Sequence, residues 1–307
     1  MDNPTTNPVA IGLTGPCPLN LTYYTNKTHP VPFVSQDIQR RTNPKATLKQ
    51  VQSIFVFGVS HALLAPHAGP QKETDANNIK GKIPPVLAPI STLGLLEDYH
   101  PVVRGVIQDF VKNLGYLPGF KYKICVDSGG LDERALAKRA GLGFYGRHGL
   151  LIHPVFGSRF HIGLLLTNLP MVQAQVYVVS AGATPAVPSL SACPPHCNQC
   201  INACPNGALT PGQPLAYGKC ISYLTQKPHL TPAEENLLQG QVYGCDICQN
   251  ACPFNKEVLP KEINIGPWQH MTPDALAHAY RHTAMGWQGG EILKRNAKLA
   301  TSHKRGK

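Results

Sequence analysis

A chain of 307 residues, 42% hydrophobic and 15% charged, can bury a sizeable core and suggests one large domain or two modest ones rather than a disordered protein. Its polar, proline-rich opening has no secretory leader pattern, and no run of about 18 apolar residues occurs, so the sequence points to a cytoplasmic protein without a membrane partner. The formal charge of +11 favours a polyanionic partner such as RNA, but the last 14 residues, KRNAKLATSHKRGK, supply six of the cations and no acid, and no aromatic-rich RNA-binding signature accompanies them.

Residues 1–50 hold many Pro, Asn and Thr with little periodicity and read as an irregular extension. VQSIFVFGVS (51–60) is β-branched and aromatic and predicts a buried strand leading into His61. Residues 69–89 read as loop. In HPVVRGVIQDFVKNLGY, Pro101 marks a helix start, Val102, Val103, Val106, Phe110 and Leu114 recur at mostly three- and four-residue steps, and Gly115 is the stop. This predicts an amphipathic helix covering a sheet, with His100 as a helix-start residue.

YKICVDSGG gives a short strand at 122–126, then Asp127-Ser128 and two glycines, and LDERALAKRA predicts the next helix. Gly141, Gly143 and Gly146 follow in G-x-G-x-x-G order, but a helix runs into them where a dinucleotide fingerprint needs a strand; Gly141 reads instead as a left-handed helix stop. GLLIHP and SRFHIGLLLTN predict two more strands, VQAQVYVVS (172–180) a last one, and AGATPAVPS (181–189) a linker. His148, His153 and His161 lie near the glycines, each more simply structural than functional. TPDALAHAYRHTAM predicts a helix capped by Thr272, ahead of the basic tail. The expected organisation is an extension over 1–50, an α/β or α+β body over 51–190, a cysteine-bearing domain over 191–262, and a C-terminal helix and tail over 263–307.

Eight of the ten cysteines fall between Cys193 and Cys252, in two half-motifs, CPPHCNQCINACP (193–205) and CDICQNACP (245–253). Each contains C-x2-C-x3-C-P, the bacterial ferredoxin spacing in which one loop wraps a [4Fe-4S] cube and the Cys before Pro ligates the other cube. By that logic Cys193, Cys197, Cys200 and the distant Cys252 hold one cluster, and Cys245, Cys248, the crossed-over Cys204 and Cys220 hold the second. The pattern is irregular at Cys193, separated from Cys197 by three residues instead of two, and at Cys220, which sits 25 residues ahead of Cys245. A zinc ribbon leaves the repeated x3-C-P unexplained. Disulfides do not suit a chain with no secretory signal. Cys17 and Cys125 lie outside the pattern. Two clusters make an electron relay, yet a bare relay needs only the cysteine-bearing segment, which argues for a redox enzyme over a ferredoxin-type electron-transfer protein.

Several segments together resemble the epoxyqueuosine reductase family, cobalamin-dependent enzymes that complete the queuosine nucleoside of tRNA. They are VDSGGLDERALAKRAGLGFYG (126–146), FGSRFHIGLLLTN (156–168), CNQCINACPNGAL (197–209), KCISYLT (219–225), YGCDICQNACPFNK (243–256) and, weakly, KRNA (294–297). The resemblance implies a corrinoid-binding-type sandwich followed by a double-cluster ferredoxin-like domain, with cobalamin between them. An electron donor such as flavodoxin or ferredoxin would feed the clusters. The family's proton-donating carboxylic acid falls on Asp127, and a carboxyl donates near neutral pH only if burial raises its pKa. The segment lying against the corrinoid falls on Gly141, Gly143, Gly146, Arg147 and His148, where absent side chains would let a flat macrocycle approach. The family commonly has Gly-Lys-Asn where this chain has Gly146-Arg147-His148, which keeps a cation but changes its shape. The helical-repeat domain of longer members does not follow, which leaves open a related reductase with a substrate other than tRNA.

Overall fold

The structure, a computed structural model, describes residues 8–19, 37–66, 85–180, 192–255 and 261–305. The chain forms two compact units that alternate along the sequence: Met1–Leu63 with His100–Pro195, and Leu64–Tyr99 with His196–Lys307.

In chain order, β1 (Val9–Thr14), α1 (Ile38–Thr42) and β2 (Ser53–Ser60) open the first unit, and β3 (Leu87–Ile90) lies in the excursion to the second. The first unit resumes with α2 (Tyr99–Asn113), β4 (Tyr122–Cys125), α3 (Glu133–Arg139), β5 (Phe144–Tyr145), β6 (Leu151–Ile152), β7 (Phe160–Thr167) and α4 (Met171–Ser180). The second unit adds α5 (Gln199–Ala203), α6 (Ile221–Leu224), α7 (Pro232–Asn236), α8 (Ile247–Asn250), β8 (Lys261–Asn264), α9 (Pro273–Tyr280) and α10 (Gly290–Arg305).

The first unit is an α+β body around a four-stranded sheet in the order β1-β2-β7-β4, antiparallel at every pairing. β2 is apolar without alternation because both of its faces are covered. Phe55 and Phe57 meet Phe110 of α2 at centroid distances of 5.1 and 5.3 Å, while Ile54 and Val56 share a core with Leu136 and Ala137 of α3. Burying each such side chain contributes about 1.5–3 kcal/mol. α2 lies close on β7 at Gly163, where a Cβ would stand 2.6 Å from Val103 and 2.7 Å from Ile107. α3 starts as expected, with the Asp132 carboxylate accepting from the Ala135 N–H, and Gly141 at φ 82° ends it.

Four expectations need correction. Residues 9–14 form an edge strand of the main sheet, since VAIGLT supplies the apolar run that the surrounding Pro and Asn obscure. Residues 172–180 are helix, not strand. After Pro170, whose carbonyl accepts from the Ala174 N–H, α4 buries Ala174 and leaves Val172 84% and Val176 60% exposed; its apparent alternation is built from Gln and Ala, which favour helix. Within 69–89, residues 87–90 are β3, and 69–84 lie outside the described residues, as does the linker expected at 181–189. The basic tail is helical as far as Arg305.

In the second unit β3 and β8 pair antiparallel, Leu87 opposite Asn264 and Ile90 opposite Lys261. Ala88 and Ile90 join Tyr243, Trp268, Leu276, Tyr280, Met285 and Leu293 in one core, so 64–99, read from the sequence as part of the body, folds with the cysteine segment and the C-terminal helices. The buried Trp268 Nε1–H donates to Tyr280 Oη at 3.1 Å. The KRNA stretch is structural: Lys294 donates to the Met271 carbonyl, Arg295 to those of Lys227 and Pro228, and the fully buried Asn296 amide to those of Thr225 and Val242. Among the described residues no helix is long and apolar enough to cross a membrane.

Candidate functional site

The second unit folds the two cysteine half-motifs alike. α5 carries Cys200 and α8 carries Cys248, and the two helices pack together. The Cys204 N–H donates to Ile201 and its carbonyl accepts from Gly207; the Cys252 N–H donates to Gln249 and its carbonyl accepts from Asn255. The two cysteines that precede proline thus hold equivalent places.

Burial pushes the Cys248 thiol far up, and the charges of Cys245, Cys220, Cys200 and Cys204 push it further. Burial first, then Cys220, Asp246 and Cys204, raises Cys245 to about 12, against a backbone hydrogen bond from Ile247. Cys220 is raised by burial and by Cys204, and lowered by the backbone N–H groups of Tyr223 and Ser222. Cys204, Cys220, Cys245 and Cys248 therefore lie within one another's fields, with Cys200 of the other set beside Cys248. Buried thiols that repel one another as thiolates are a fit for a multiply charged cationic core in their midst. Among the described residues no group of three or more His, Cys, Asp or Glu side chains is arranged to hold one metal ion. Cys193 is half-buried at the end of the first unit, Cys17 is exposed, and Cys125 is a buried strand residue.

In the first unit, one end of the sheet gathers ionisable side chains. His61 follows β2, His161 lies at the start of β7, and Asp127 follows β4; because β7 runs antiparallel to both, it begins at the end where β2 and β4 finish. The His61 and His161 rings stack at 4.6 Å. His100, in the first turn of α2, places Nε2 3.8 Å from Asp127 Oδ2. Burial, then the neighbouring Arg159, lowers His61 to about 4; burial, then His61 and His100, holds His161 well below its ordinary value. These imidazoles are neutral at ordinary pH.

The expected acid is not the buried one. The Asp127 side chain is 57% exposed and its residue adopts a left-handed φ of 51°, strained for a residue with a Cβ. Its N–H donates to Glu133 Oε1 at 2.9 Å. Glu133 is buried, and its pKa is raised well above the ordinary carboxyl range by desolvation and then by the Asp127 charge, with the Asp127 N–H opposing. The buried carboxyl of this site, its pKa raised by that burial, is therefore Glu133. Sequence reasoning did not single it out, read His100 as a helix-start residue, and saw His61 only as a strand end. The spacing of Asp127 and Glu133, six residues across a turn, is the signal that could have paired them.

The expected corrinoid segment forms the β5–β6 hairpin. A Cβ on Gly143 would stand 2.1 Å from the Ile152 carbonyl oxygen, and one on Gly146 would meet Ile152 Cδ1 at 2.6 Å and His148 Cε1 at 2.8 Å. The chain's own packing thus accounts for glycine at both positions. Arg147 donates to the Pro195 carbonyl at 2.6 Å. His148 Nδ1 accepts from the Leu150 N–H, and burial lowers this imidazole to about 4, so its buried Nε2 carries the proton and finds no acceptor among the described residues. That unused donor is where a polar group of a bound cofactor would fit. His153, by contrast, accepts from the N–H groups of Val155 and Phe156 and stacks on the Phe156 ring at 4.3 Å, a structural histidine.

Comparison with known proteins adds the following. Residues 193–255 match the family described as a 4Fe-4S double cluster binding domain, and residues 41–128 match the epoxyqueuosine reductase QueG family. An epoxyqueuosine reductase of Staphylococcus aureus is 31% identical over 286 residues, covering 88% of this chain and 69% of the relative. The crystal structure of an epoxyqueuosine reductase with an epoxyqueuosine-modified tRNA-Tyr stem-loop superposes with a TM-score of 0.72 at 26% identity, covering 95% of this chain and 77% of that one. The Bacillus subtilis enzyme, solved with its catalytic aspartate loop swung out of the active site, superposes with a TM-score of 0.73 at 27% identity over 95% and 77% of the two chains.

Proposed function

The chain belongs to the epoxyqueuosine reductase family and is an oxidoreductase, and from that premise we propose that it reduces epoxyqueuosine to queuosine in tRNA, in the cytoplasm, using two [4Fe-4S] clusters and cobalamin. Removing the epoxide oxygen consumes two electrons and two protons and releases water. Supporting this reading, one polypeptide sets an acid, Asp127, at a sheet end among three histidines and gathers in its other unit the thiols of a double-cluster motif. Proton donor and electron store thus occupy one chain.

Cys193, Cys197, Cys200 and Cys252 would hold the first cluster, and Cys204, Cys220, Cys245 and Cys248 the second; clusters held there would supply one-electron transfer from a donor such as flavodoxin or ferredoxin. Cobalamin, if bound, would supply a reducible cobalt, and the segment from Gly141 to His148 would hold it, with His148 Nε2 as hydrogen-bond donor. Asp127 presents the proton to the oxygen as it leaves carbon. His100 faces the Asp127 carboxylate and stabilises its charge after transfer. The exposed Asp127 carboxyl is open to a substrate at this end of the sheet.

The test is the queuosine content of tRNA from a strain without this protein, complemented with wild type or with Asp127→Asn. Epoxyqueuosine should accumulate in the deletion strain. It should persist with the variant, whose purified form should keep its iron and its corrinoid uptake while turnover falls by about 100-fold or more. Unchanged queuosine in the deletion strain removes the tRNA reading; full turnover by Asp127→Asn removes the acid.

A further inference from the structure

We propose that the loop between α2 and β4, with the start of β4, is a stacking platform for unpaired RNA bases of the substrate; this rests on the tRNA reading above and names a surface for it. Over 112–123 the sequence is KNLGYLPGFKYK, with three aromatic rings and three lysines. Too short to stand out as a signature along the chain, they come together on one exposed loop at the edge of the sheet.

Tyr116 is 90% exposed and Tyr122 47% exposed. Phe120 stacks on Tyr122 at 5.2 Å with 25° between planes. Lys121 and Lys123 flank Tyr122, both exposed, and among the described residues neither is ion-paired; Lys112 is tied to Asp109 at 2.8 Å. A single exposed tyrosine needs no explanation, but two rings stacked on a hydrogen-bonded loop, with a third exposed beside them, do. The loop is tied down. Gly115 and Gly119 turn the chain at φ of 72° and 70°, the Phe120 N–H donates to Leu117, and Asn168 binds the loop three times. Its Oδ1 accepts from the Lys121 N–H at 2.8 Å, its Nδ2 donates to the Gly119 carbonyl at 2.9 Å, and its own N–H donates to the Lys121 carbonyl at 3.1 Å.

Pre-ordered rings flanked by free cations are what single-stranded nucleic acid requires: every base has a face to stack, and the lysines take the phosphates. The position also suits one ligand bound at both places. β4 runs from this loop towards Asp127, and five residues of extended chain from Tyr122 cover about 16 Å. That is about five nucleotides of a stacked strand at 3.4 Å each, so an RNA loop with its modified base at Asp127 can reach the rings.

The experiment measures binding of a labelled epoxyqueuosine-modified tRNA-Tyr stem-loop to the anaerobically purified, cluster-loaded full chain, by fluorescence anisotropy over a range of salt. Tyr116→Ala should weaken binding about tenfold, and Tyr116→Phe should bind as wild type, since the ring and not the hydroxyl does the stacking. Joint replacement of Lys121→Gln and Lys123→Gln should make the slope of log affinity against log salt shallower by about 1.4 to 1.8. Wild-type affinity and slope in these variants overturn the platform while leaving the substrate reading intact, and so does an effect confined to electron delivery from a protein donor. A Tyr116→Phe variant as weak as Tyr116→Ala overturns stacking. A wild-type protein that does not bind the stem-loop overturns both the platform and the tRNA reading.

Discussion

Asp127 and Glu133 divide between them two properties that a proton-donating acid needs, access and a raised pKa. Asp127 has access, through a strained backbone that the Glu133 carboxyl oxygen holds by its N–H. Glu133 is buried and keeps its proton above its ordinary pKa of 4.5. The sign of the resulting pH dependence follows. With the folded pKa above the unfolded one, the folded state holds a proton that the unfolded state has lost, so stability falls as pH rises from about 4.5 through the folded value. A Glu133→Gln variant keeps an oxygen to accept the Asp127 N–H but does not titrate. Its urea midpoint should therefore gain on that of wild type with rising pH across this window, and a constant offset would count against the buried acid. Glu133→Ala, which removes the acceptor, should lose more turnover than Glu133→Gln. Of these residues only Asp127 was singled out in the sequence, because the family resemblance places its acid there. Glu133, His100 and His61 each had a sufficient local explanation as a helix start or strand end, and only the folding of distant segments brings them to one place.

The β5–β6 hairpin has the least tolerance for change among the elements near the site. A methyl group at Gly143 would collide with the Ile152 carbonyl across the ladder, at a φ of 153° that side-chain-bearing residues rarely adopt. Gly143→Ala should destabilise the protein by more than about 2 kcal/mol, or prevent soluble folding, as read by a thermal or urea midpoint. Gly149, also at positive φ but with open space where its Cβ would lie, gives the comparison: alanine there pays only the backbone strain, about 1 kcal/mol. Elements with one strong local signal were readable: β2 from its apolar run, α2 from its three- and four-residue steps, α9 from its Thr272 cap. β1 and α4 were not. VAIGLT is too brief to outweigh its Pro- and Asn-rich surroundings, and the alternation in VQAQVYVVS fits a strand only if a sheet edge is there to receive it.

For the molecule as a whole, the two cysteine motifs are one object. Cys204, from the first half-motif, lies in the field of Cys220, Cys245 and Cys248 of the second. Cys204→Ser should therefore lower iron from about eight to about four per chain, with the loss falling on the cluster of the later motif; retention of about eight iron would break the assignment. The exchange is what the repeated spacing predicts. The division into units was not, because it depends on β3, four residues whose partner in β8 lies far along the chain and leaves no local trace. That separation bears on how the protein is made. Val86 and Asn264, joined by a hydrogen bond, are 178 positions apart. A ribosome adding about 5–20 residues per second needs on the order of ten to thirty-five seconds between them. For that interval the nascent chain carries a strand with an unsatisfied edge, and its emerging neighbours Pro84 and Pro85, which have no N–H to offer another strand, are well suited to protect it from premature pairing.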